Sequence, residues 1–287
     1  MLVDEVKKYL SLVKFVHSIF ALPFAIIGYA LGVAETGRFD IKVFVGVILA
    51  MVFARSAAMA FNRYVDRDID KLNERTKNRE IPSGKIKARN ALIFTIVNSL
   101  LFIAVTAFIN KLVFFLSPVA LFVILFYSYT KRFTALAHFV LGLGLALAPI
   151  GSYLCVVERF DFVPVLLSVL VLFWVAGFDI IYALQDELFD KENGLKSVPA
   201  AIGTEKSIVL SIILHMIVVA IAFYIGYYNH YGIWYWIGAV GFTFFIAFQH
   251  SIVNKRDLSK INLAFFTANG LASIFYMVFF LLELWLD

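Results

Sequence analysis

Nine long apolar segments, separated by polar connections, constrain the fold of this chain more than any other feature of its sequence. They cover residues 12–34, 41–61, 91–109, 112–130, 134–156, 163–182, 207–228, 232–250 and 261–285. An apolar run of about 20 residues is long enough to cross a bilayer as a helix. The runs are continuous and do not alternate with polar residues, which favours helices over a barrel. The sequence therefore predicts an all-α, polytopic membrane bundle of nine transmembrane helices.

The placement of the basic residues agrees with this topology. Charged residues make up only 16% of the chain, whereas they make up about a quarter of a soluble domain. With the N-terminus in the cytoplasm and the spans alternating, most Lys and Arg residues fall on the cytoplasmic side, as the positive-inside rule requires. The net charge of +5 is thus a topology signal, and no nucleic-acid partner is expected. The first residues lack the pattern of a signal or transit peptide, so we expect the plasma (inner) membrane.

Two matching acidic motifs begin the two long polar connections. Their residues are Asn62, Asp66 and Asp70 in the first motif and Tyr182, Asp186 and Asp190 in the second. Each motif lies at the cytoplasmic end of an even-numbered span. Each residue of the first motif lies 120 positions before its equivalent in the second. We therefore predict a single domain over residues 1–287, with parallel four-helix repeats at about 10–130 and 131–250 and a ninth helix. The active site would lie on the cytoplasmic side, between the repeats.

The four-residue spacing predicts that each motif presents its carboxylates on one helical face. Carboxylates this close repel one another unless a cation lies between them. Mg²⁺ takes oxygen ligands and is commonly bound by one or two carboxylates together with substrate phosphates. The two motifs therefore predict a magnesium–diphosphate site. Arginine and lysine side chains bind phosphate oxygens, and those near this face in the sequence are Arg63, Arg67, Arg75, Arg79, Lys131 and Arg132.

One further cation, Arg55, lies inside the second predicted span. A charge at membrane depth is costly and usually faces a polar cavity, where it serves function. The alternative is an arginine whose side chain extends to the membrane interface. We favour the functional interpretation.

These residues resemble the UbiA superfamily of intramembrane prenyltransferases over nearly the whole chain. The first family signature is similar to Arg55, Asn62, Asp66, Asp70, Arg75-Thr76, Asn78-Arg79 and Pro82-Ser83-Gly84. The second is similar to Tyr182, Asp186, Asp190, Gly194, Lys196-Ser197 and Gly203, and the stretch from Tyr127 to Thr134 resembles a third family segment. One departure is Glu80, where the family usually has Pro. Lys14-Phe15, His17 and Phe20 to Phe24 look like the 4-hydroxybenzoate polyprenyltransferase branch.

The resemblance implies Mg²⁺-dependent transfer of a polyprenyl group from polyprenyl diphosphate to an aromatic acid, in contact with membrane lipid and without a protein partner. The implied metal ligands are Asn62, Asp66, Asp70, Asp186 and Asp190. The implied catalytic set is Asp66, Asp70, Asp186, Asp190 and Arg132. The implied diphosphate-binding residues are Arg63, Arg75, Arg79, Lys131, Lys196 and Tyr182. The implied acceptor-binding residues are Arg55, Ser128, Arg132 and His17, although His17 is equally explained as a polar residue at the end of the first span.

Three alternatives remain open at this point, and a fourth is excluded. A sister group of the same branch would prenylate 1,4-dihydroxy-6-naphthoate on the futalosine route to menaquinone, and other members of the superfamily use other acceptors. A secondary transporter shares the repeats and the buried polar groups, but its acids usually lie near the bilayer midplane. A phosphatidyl-type transferase would need a D-x-x-D-G-x-x-A-R core, which this sequence lacks.

Overall fold

The computed structural model describes residues 8–13, 20–253 and 261–286, and this part of the chain is helical with no β-strand. The predicted all-α class is therefore confirmed. The main helices are α1 (Leu22–Thr36), α2 (Ile41–Leu72), α3 (Ala88–Ile109), α4 (Lys111–Thr130), α5 (Ala137–Val157), α6 (Phe162–Ala183), α7 (Glu187–Glu192), α8 (Val198–Ile202), α9 (Thr204–Tyr228), α10 (Ile233–Ile252) and α11 (Asn269–Leu286). A 3₁₀ turn, Leu184–Asp186, follows α6, and a π-helical segment, Leu263–Ala268, precedes α11.

Seven helices within the described ranges are long and apolar enough to cross a membrane, so the chain is a multi-pass membrane protein. They are Ile41–Leu72, Ala88–Ile109, Lys111–Thr130, Ala137–Val157, Phe162–Glu192, Thr204–Tyr228 and Leu263–Leu286. The predicted count of nine is not confirmed. Helix α1 has only 15 residues, and α10 is less apolar because it carries two Trp residues near its start and Gln249 and His250 near its end.

Helix α2 is longer than the apolar run that predicted it. The run ends near residue 61, but the helix continues without a break for 32 residues to Leu72. At 1.5 Å per residue this is about 48 Å, well beyond a hydrocarbon core of about 30 Å. The polar last turns of α2 therefore project beyond the apolar layer and carry the first acidic motif with them.

The packed core lies on one side of α6. Trp174 of α6 is fully buried, and the rings of Phe24 and Phe242 approach it with centroids at 5.3 and 5.7 Å. Tyr276 of α11 stacks on Phe242 at 5.0 Å. Aromatic pairs at such distances add stabilisation beyond simple burial. Helices α1, α6, α9, α10 and α11 thus form a solid half of the bundle.

Close helix contacts depend on small residues. A Cβ atom at Gly142 of α5 would collide with the backbone carbonyl oxygen of Leu172 in α6, and one at Gly28 of α1 would collide with that of Pro149. Small residues allow membrane helices to approach closely, because association there depends on van der Waals contact and hydrogen bonds. These two glycines therefore fix the distance of α5 from α6 and from α1.

We expect Gly142→Ala to lower the stability of the protein by about 1–3 kcal/mol, because a backbone atom cannot move aside cheaply for the added methyl group. The unfolding midpoint in detergent or lipid measures the effect. Gly151→Ala on the same helix is the matched control, since a Cβ there has no neighbour within 4 Å. Equal midpoints for the two variants would contradict this account of the α5–α6 contact.

Helices α1 to α6 enclose a cavity of about 480 Å³. Its walls are mostly aliphatic and aromatic, and it lies between the solid half of the bundle and helices α2 to α5. Asn62, Arg63 and Arg79 line it at the end where α2 leaves the apolar layer. Val119 and Phe160, both well exposed on the outer surface, also line it. The cavity therefore connects a polar mouth with an apolar interior that reaches the lipid-facing surface.

Candidate active site

The first acidic motif lies on α2 as predicted. Asn62, Asp66 and Asp70 occupy successive turns of one unbroken helix, and the Asn62 amide donates to Asp66 Oδ2 at 3.2 Å. Asp66 and Asp70 are only 2% and 3% exposed. Buried carboxylates need hydrogen-bond donors or charge partners, so their surroundings indicate what the site is built to bind.

The prediction that the second motif also shares one helical face is wrong. Tyr182 lies in α6, Asp186 ends the 3₁₀ turn, and Asp190 lies in the separate helix α7. The Leu184 N–H donates to the Ile181 carbonyl, three residues back, which is the bonding of a 3₁₀ turn and changes the angular spacing of the side chains. The reason lies outside the segment, because contacts from the α2–α3 loop hold Asp186.

Asp186 joins that loop to the second half of the chain. Arg75 donates through Nε to Asp186 Oδ1 at 3.0 Å and through Nη2 to Oδ2, and its Nη1 donates to the Tyr182 hydroxyl at 3.1 Å. The Asn73 amide donates to Asp186 Oδ1 at 2.9 Å. Burial acts to lower the pKa of Arg75, but the hydrogen bonds and charge of Asp186 outweigh it and raise the pKa above its usual value. Arg75 therefore stays a cation at any physiological pH.

Asp66 is held by the consecutive basic pair that follows α4. The Lys131 ammonium lies 2.6 Å from Asp66 Oδ2, and Arg132 Nη1 lies 3.3 Å from Oδ1. Arg132 also donates to the backbone carbonyls of Ser128 and Val65, at 3.0 and 2.9 Å. Arg132 thus fastens the end of α4 to α2, and the acceptor binding that the sequence suggested for it stays a prediction.

Asp70 is only partly satisfied. Arg79 Nη1 donates to Asp70 Oδ1 at 2.7 Å, while Oδ2 is buried with no hydrogen-bond partner among the described residues. Arg63, 5% exposed, lies near Asp66, Asp70 and Arg79, and within the same described ranges its buried Nε has no partner either. A buried unpaired carboxylate oxygen is costly and rare, so the site is arranged to receive a further cation.

The residues around Asp70 fit a magnesium site that is completed by substrate. The described residues contain no group of three or more Asp, Glu, His or Cys side chains arranged to hold a metal by themselves. Mg²⁺ does not need such a group, because it commonly takes one or two carboxylates and fills its other positions with phosphate oxygens and water. The unpaired oxygen of Asp70, with the carboxylate of Asp66 one turn before it on α2, fits that pattern.

Asp190 and Lys196 lie at the edge of the site. The Ser197 hydroxyl lies near Asp190 and accepts a hydrogen bond from the Ala200 N–H at 3.3 Å. The Lys196 backbone N–H donates to the Lys131 carbonyl at 2.6 Å. This bond brings the loop after α7 against the end of α4. The Lys196 side chain is exposed, so it lies outside the buried ion pairs.

The predicted site residues divide into two groups with respect to the cavity. Arg55, Asn62, Arg63, Arg79 and Tyr182 line it. The other predicted residues in the described part of the chain do not, and they are Asp66, Asp70, Arg75, Ser128, Lys131, Arg132, Asp186, Asp190 and Lys196. The Ser128 hydroxyl is buried with no hydrogen-bond partner among the described residues. His17 falls outside the described residues. Arg55 makes no hydrogen bond or ion pair with any described residue, and its Nε is buried.

Sequence reasoning missed three polar residues of this region. Asp179 and Tyr127 line the cavity, and Asn73 binds Asp186. His138 lies behind Asp179, with its Nδ1 at 2.7 Å from Asp179 Oδ2. Asp179 has the same sequence feature as Arg55, because it is a charged residue inside an apolar span.

The departure at Glu80 also has a structural explanation. Its carboxylate accepts a hydrogen bond from the Ser11 hydroxyl at 2.5 Å, and its carbonyl accepts from the Ile86 N–H at 2.9 Å. Glu80 therefore joins the α2–α3 loop to the short helical stretch at residues 8–12, next to the Arg79 that binds Asp70.

Comparisons with known proteins agree with this geometry. The sequence pattern of the UbiA prenyltransferase family matches residues 21–274. A 4-hydroxybenzoate octaprenyltransferase of Nitrosomonas europaea is 31% identical over 252 residues, which cover 86% of this chain and 85% of that protein. The structure of a UbiA homolog from Aeropyrum pernix K1 superposes with a TM-score of 0.79 at 28% identity, covering 92% of this chain and 95% of that one.

A second structure shows the same fold in a complex. A UbiA homolog from Archaeoglobus fulgidus bound to DMAPP and Mg²⁺ superposes with a TM-score of 0.70 at 23% identity, covering 93% of this chain and 99% of that one. The matched span includes both acidic motifs, Arg55 and the cavity between them. This multi-pass membrane protein belongs to the UbiA prenyltransferase family and is an enzyme of prenyl transfer.

Proposed function

We propose that this enzyme transfers a polyprenyl group from polyprenyl diphosphate to an aromatic acid, with 4-hydroxybenzoate as the first choice of acceptor and Mg²⁺ as the cofactor. The observation that carries the proposal is a cavity with a charged mouth, apolar walls and, on one wall, the Arg55 guanidinium, which no carboxylate of the described residues pairs. The name of the Nitrosomonas relative supports the acceptor, and the complex of the Archaeoglobus protein supports the diphosphate and the metal.

The charged mouth fits a diphosphate. Five basic side chains lie around Asp66, Asp70 and Asp186, and they are Arg63, Arg75, Arg79, Lys131 and Arg132. Without substrate, the carboxylates neutralise these cations. Asp66, Asp70, Asp186 and Asp190, with Asn62, would hold Mg²⁺, which makes the diphosphate a better leaving group by stabilising the charge on its oxygens. Arg63 and Arg79 line the cavity and would bind phosphate oxygens directly, as would Tyr182 through its hydroxyl.

The apolar interior fits the prenyl chain. Next to the mouth it is lined by the rings of Tyr127, Phe178, Tyr182 and Phe265. The negative faces of aromatic rings stabilise a nearby cation, so these rings would stabilise the allylic cation formed as the C–O bond breaks. Beyond them the wall is aliphatic as far as Val119 and Phe160 on the outer surface. A long isoprenoid tail would extend through this region towards lipid.

Arg55 fits the carboxylate of the acceptor. It lines the cavity without a hydrogen bond or ion pair to any described residue, and unlike Arg63 it does not lie among the motif carboxylates. A guanidinium pairs with a carboxylate through two parallel hydrogen bonds. Arg132, the other arginine considered for this role, is already engaged with Asp66 and two backbone carbonyls. We therefore assign binding of the acceptor carboxylate to Arg55. Arg132 and Ser128 would affect acceptor binding indirectly, by holding α4 in position.

We expect Arg55→Leu to raise the KM for an aromatic acid by about tenfold to a hundredfold, the effect of losing a hydrogen bond to a charged group. The KM for prenyl diphosphate should change little, because Arg55 lies away from the charged mouth in the sequence and has no contact with its carboxylates. Steady-state kinetics with each substrate varied in turn measures both values. An increase confined to prenyl diphosphate would contradict the assignment.

An acceptor screen tests the proposed function. Purified enzyme in lipid, with Mg²⁺ and a polyprenyl diphosphate, is given each aromatic acid, and prenylated product is detected by mass. We expect product with 4-hydroxybenzoate and its loss on adding EDTA. Product only with 1,4-dihydroxy-6-naphthoate would show that this compound is the acceptor, and it would assign the enzyme to menaquinone synthesis. Diphosphate that stays intact with every acceptor would overturn the proposal in favour of a transporter.

We also propose that the enzyme lies in the plasma (inner) membrane with its N-terminus and both acidic motifs on the cytoplasmic side, where water-soluble acids and diphosphates are available. The positive-inside distribution of Lys and Arg supports this orientation. The two parallel repeats stay a prediction. The position of the first motif in the last turns of α2, and of the second at the end of α6 and just beyond it, is in their favour.

A further inference from the structure

A second charged group, Asp179, lies in the wall of the cavity. It sits in α6, one turn before Tyr182, and lines the cavity together with Arg55 and Tyr127. Its side chain is 18% exposed. Asp66, Asp70 and Asp186 are paired with Lys or Arg side chains, whereas the only described polar partner of Asp179 is a histidine. A carboxylate at this depth in an apolar helix is costly, and such residues are usually functional.

The contacts of His138 fix its tautomer. The Val198 N–H donates to His138 Nε2 at 3.3 Å, so Nε2 is an acceptor and the proton of the neutral ring lies on Nδ1. That Nδ1–H then donates to Asp179 Oδ2 at 2.7 Å. His138 is 4% exposed and does not line the cavity. Its role is therefore to orient the carboxylate and to keep one oxygen occupied.

The other oxygen, Asp179 Oδ1, has no hydrogen bond to any described residue. The Tyr127 hydroxyl, also on the cavity wall, lies close enough to Asp179 to feel its charge and makes no hydrogen bond within the described chain. The cavity thus holds a guanidinium without a partner and a carboxylate oxygen without a donor. The guanidinium suits the acid group of an acceptor, whereas the free carboxylate oxygen can only accept a hydrogen bond or a proton.

We propose that Asp179 is the catalytic base that removes the ring proton of the aromatic acceptor, with His138 as its positioning residue. The proposal rests on the proposed function. In the reaction the allylic C–O bond breaks and its electron pair leaves with the diphosphate. A ring carbon of the acceptor then forms the C–C bond to the allylic cation. The C–H bond at that ring carbon breaks, its electrons restore the aromatic ring, and the proton goes to Asp179 Oδ1.

A catalytic role for Asp179 explains two features of the Asp179–His138 pair that a purely structural role would not require. The carboxylate faces the cavity that holds the prenyl chain and acceptor, although a purely structural pair would be better protected behind the wall. The histidine donates to one oxygen only, which leaves the second free. After product leaves, the partial exposure of Asp179 lets the proton pass to water at the mouth of the cavity.

The kinetic isotope effect with ring-deuterated 4-hydroxybenzoate tests the proposal. In the unchanged enzyme we expect turnover to be nearly the same for the normal and the deuterated acceptor, because a well-placed base removes the proton quickly. In Asp179→Asn we expect turnover to fall by about a hundredfold, the lower range for loss of a general base. A primary isotope effect should then appear, because loss of the ring proton becomes slow. The effect is a ratio, so it does not depend on how much of the variant folds.

Two further variants complete the experiment. His138→Gln should give a smaller fall in turnover and an intermediate isotope effect, because Gln can still donate to Asp179. Asp161→Asn is the matched control, since Asp161 precedes the other end of α6 and lies outside the cavity, and Asn can still accept from the Phe162 N–H. Normal turnover and no isotope effect in Asp179→Asn would overturn this proposal alone. No prenylated product from the unchanged enzyme would instead overturn the proposed function.

Discussion

Replacing Asp66 by Asn is expected to reduce prenyl transfer by on the order of a hundredfold or more, the largest effect that we predict for a single substitution. Asp66 is nearly fully buried and joins two separate segments, since Lys131 and Arg132 both bind its carboxylate. Asn has the same shape but no charge. It therefore removes a proposed metal ligand and leaves two cations without compensation in a partly buried site, which is strongly unfavourable.

The matched control for this variant is Asp68→Asn. Asp68 lies on the same helix two residues later, but its side chain is 83% exposed and pairs only with the neighbouring Arg67. Exposed pairs of this kind contribute little, so Asp68→Asn should keep normal activity. Transfer is measured as prenylated product per folded enzyme, with folding judged by elution from a sizing column and by the unfolding midpoint. Full activity of Asp66→Asn would contradict the metal-site assignment.

Arg75→Gln is expected to lower kcat/KM for prenyl diphosphate by about tenfold to a hundredfold, as the loss of hydrogen bonds between charged groups would. Arg75 contacts both oxygens of Asp186 and the Tyr182 hydroxyl, and so it fastens the α2–α3 loop to the second motif. Arg75→Lys should recover only part of the loss, because an ammonium cannot supply two parallel donors. Lys77→Gln is the control on the same loop, since Lys77 pairs only with the exposed Glu74.

A double-mutant comparison separates this contact from a general effect of charge. If Arg75 acts through Asp186, then adding Arg75→Gln to Asp186→Asn should cost much less than Arg75→Gln alone, because both changes remove the same interaction. Additive losses in the double variant would show that Arg75 acts elsewhere. The 3₁₀ turn between α6 and α7 depends on the same contact, so its stability should follow the activity.

The sequence predicted most of what depends on local periodicity and composition. Continuous apolar runs located the principal helices, and the four-residue spacing placed Asn62, Asp66 and Asp70 on one face of α2, where no helix-breaking residue intervenes. The association of the basic segments with the acids was also predicted in outline. Such features are set by residues close to one another in the chain, and tertiary contacts here reinforced them.

Features that depend on distant contacts were not predicted correctly. The second motif has the same spacing as the first, yet Arg75 and Asn73 hold Asp186 from another segment and the helix breaks there. Arg132 looked available for substrate, but it is bound to Asp66 and to two carbonyls. The hydrogen bond between Asp179 and His138 joins two helices, so the local sequence pattern could not predict it. Only the packed bundle shows which charges are already satisfied.

The most direct test of the central claim is to measure pyrophosphate release and prenylated product in the same sample of purified enzyme in lipid. The samples contain Mg²⁺, a polyprenyl diphosphate and 4-hydroxybenzoate, and a parallel set omits the acid or adds EDTA. The account predicts equal amounts of pyrophosphate and product, both strongly reduced without the acid or the metal. An unchanged diphosphate in the complete mixture, or pyrophosphate release with no prenylated acid, would contradict transfer to an aromatic acid.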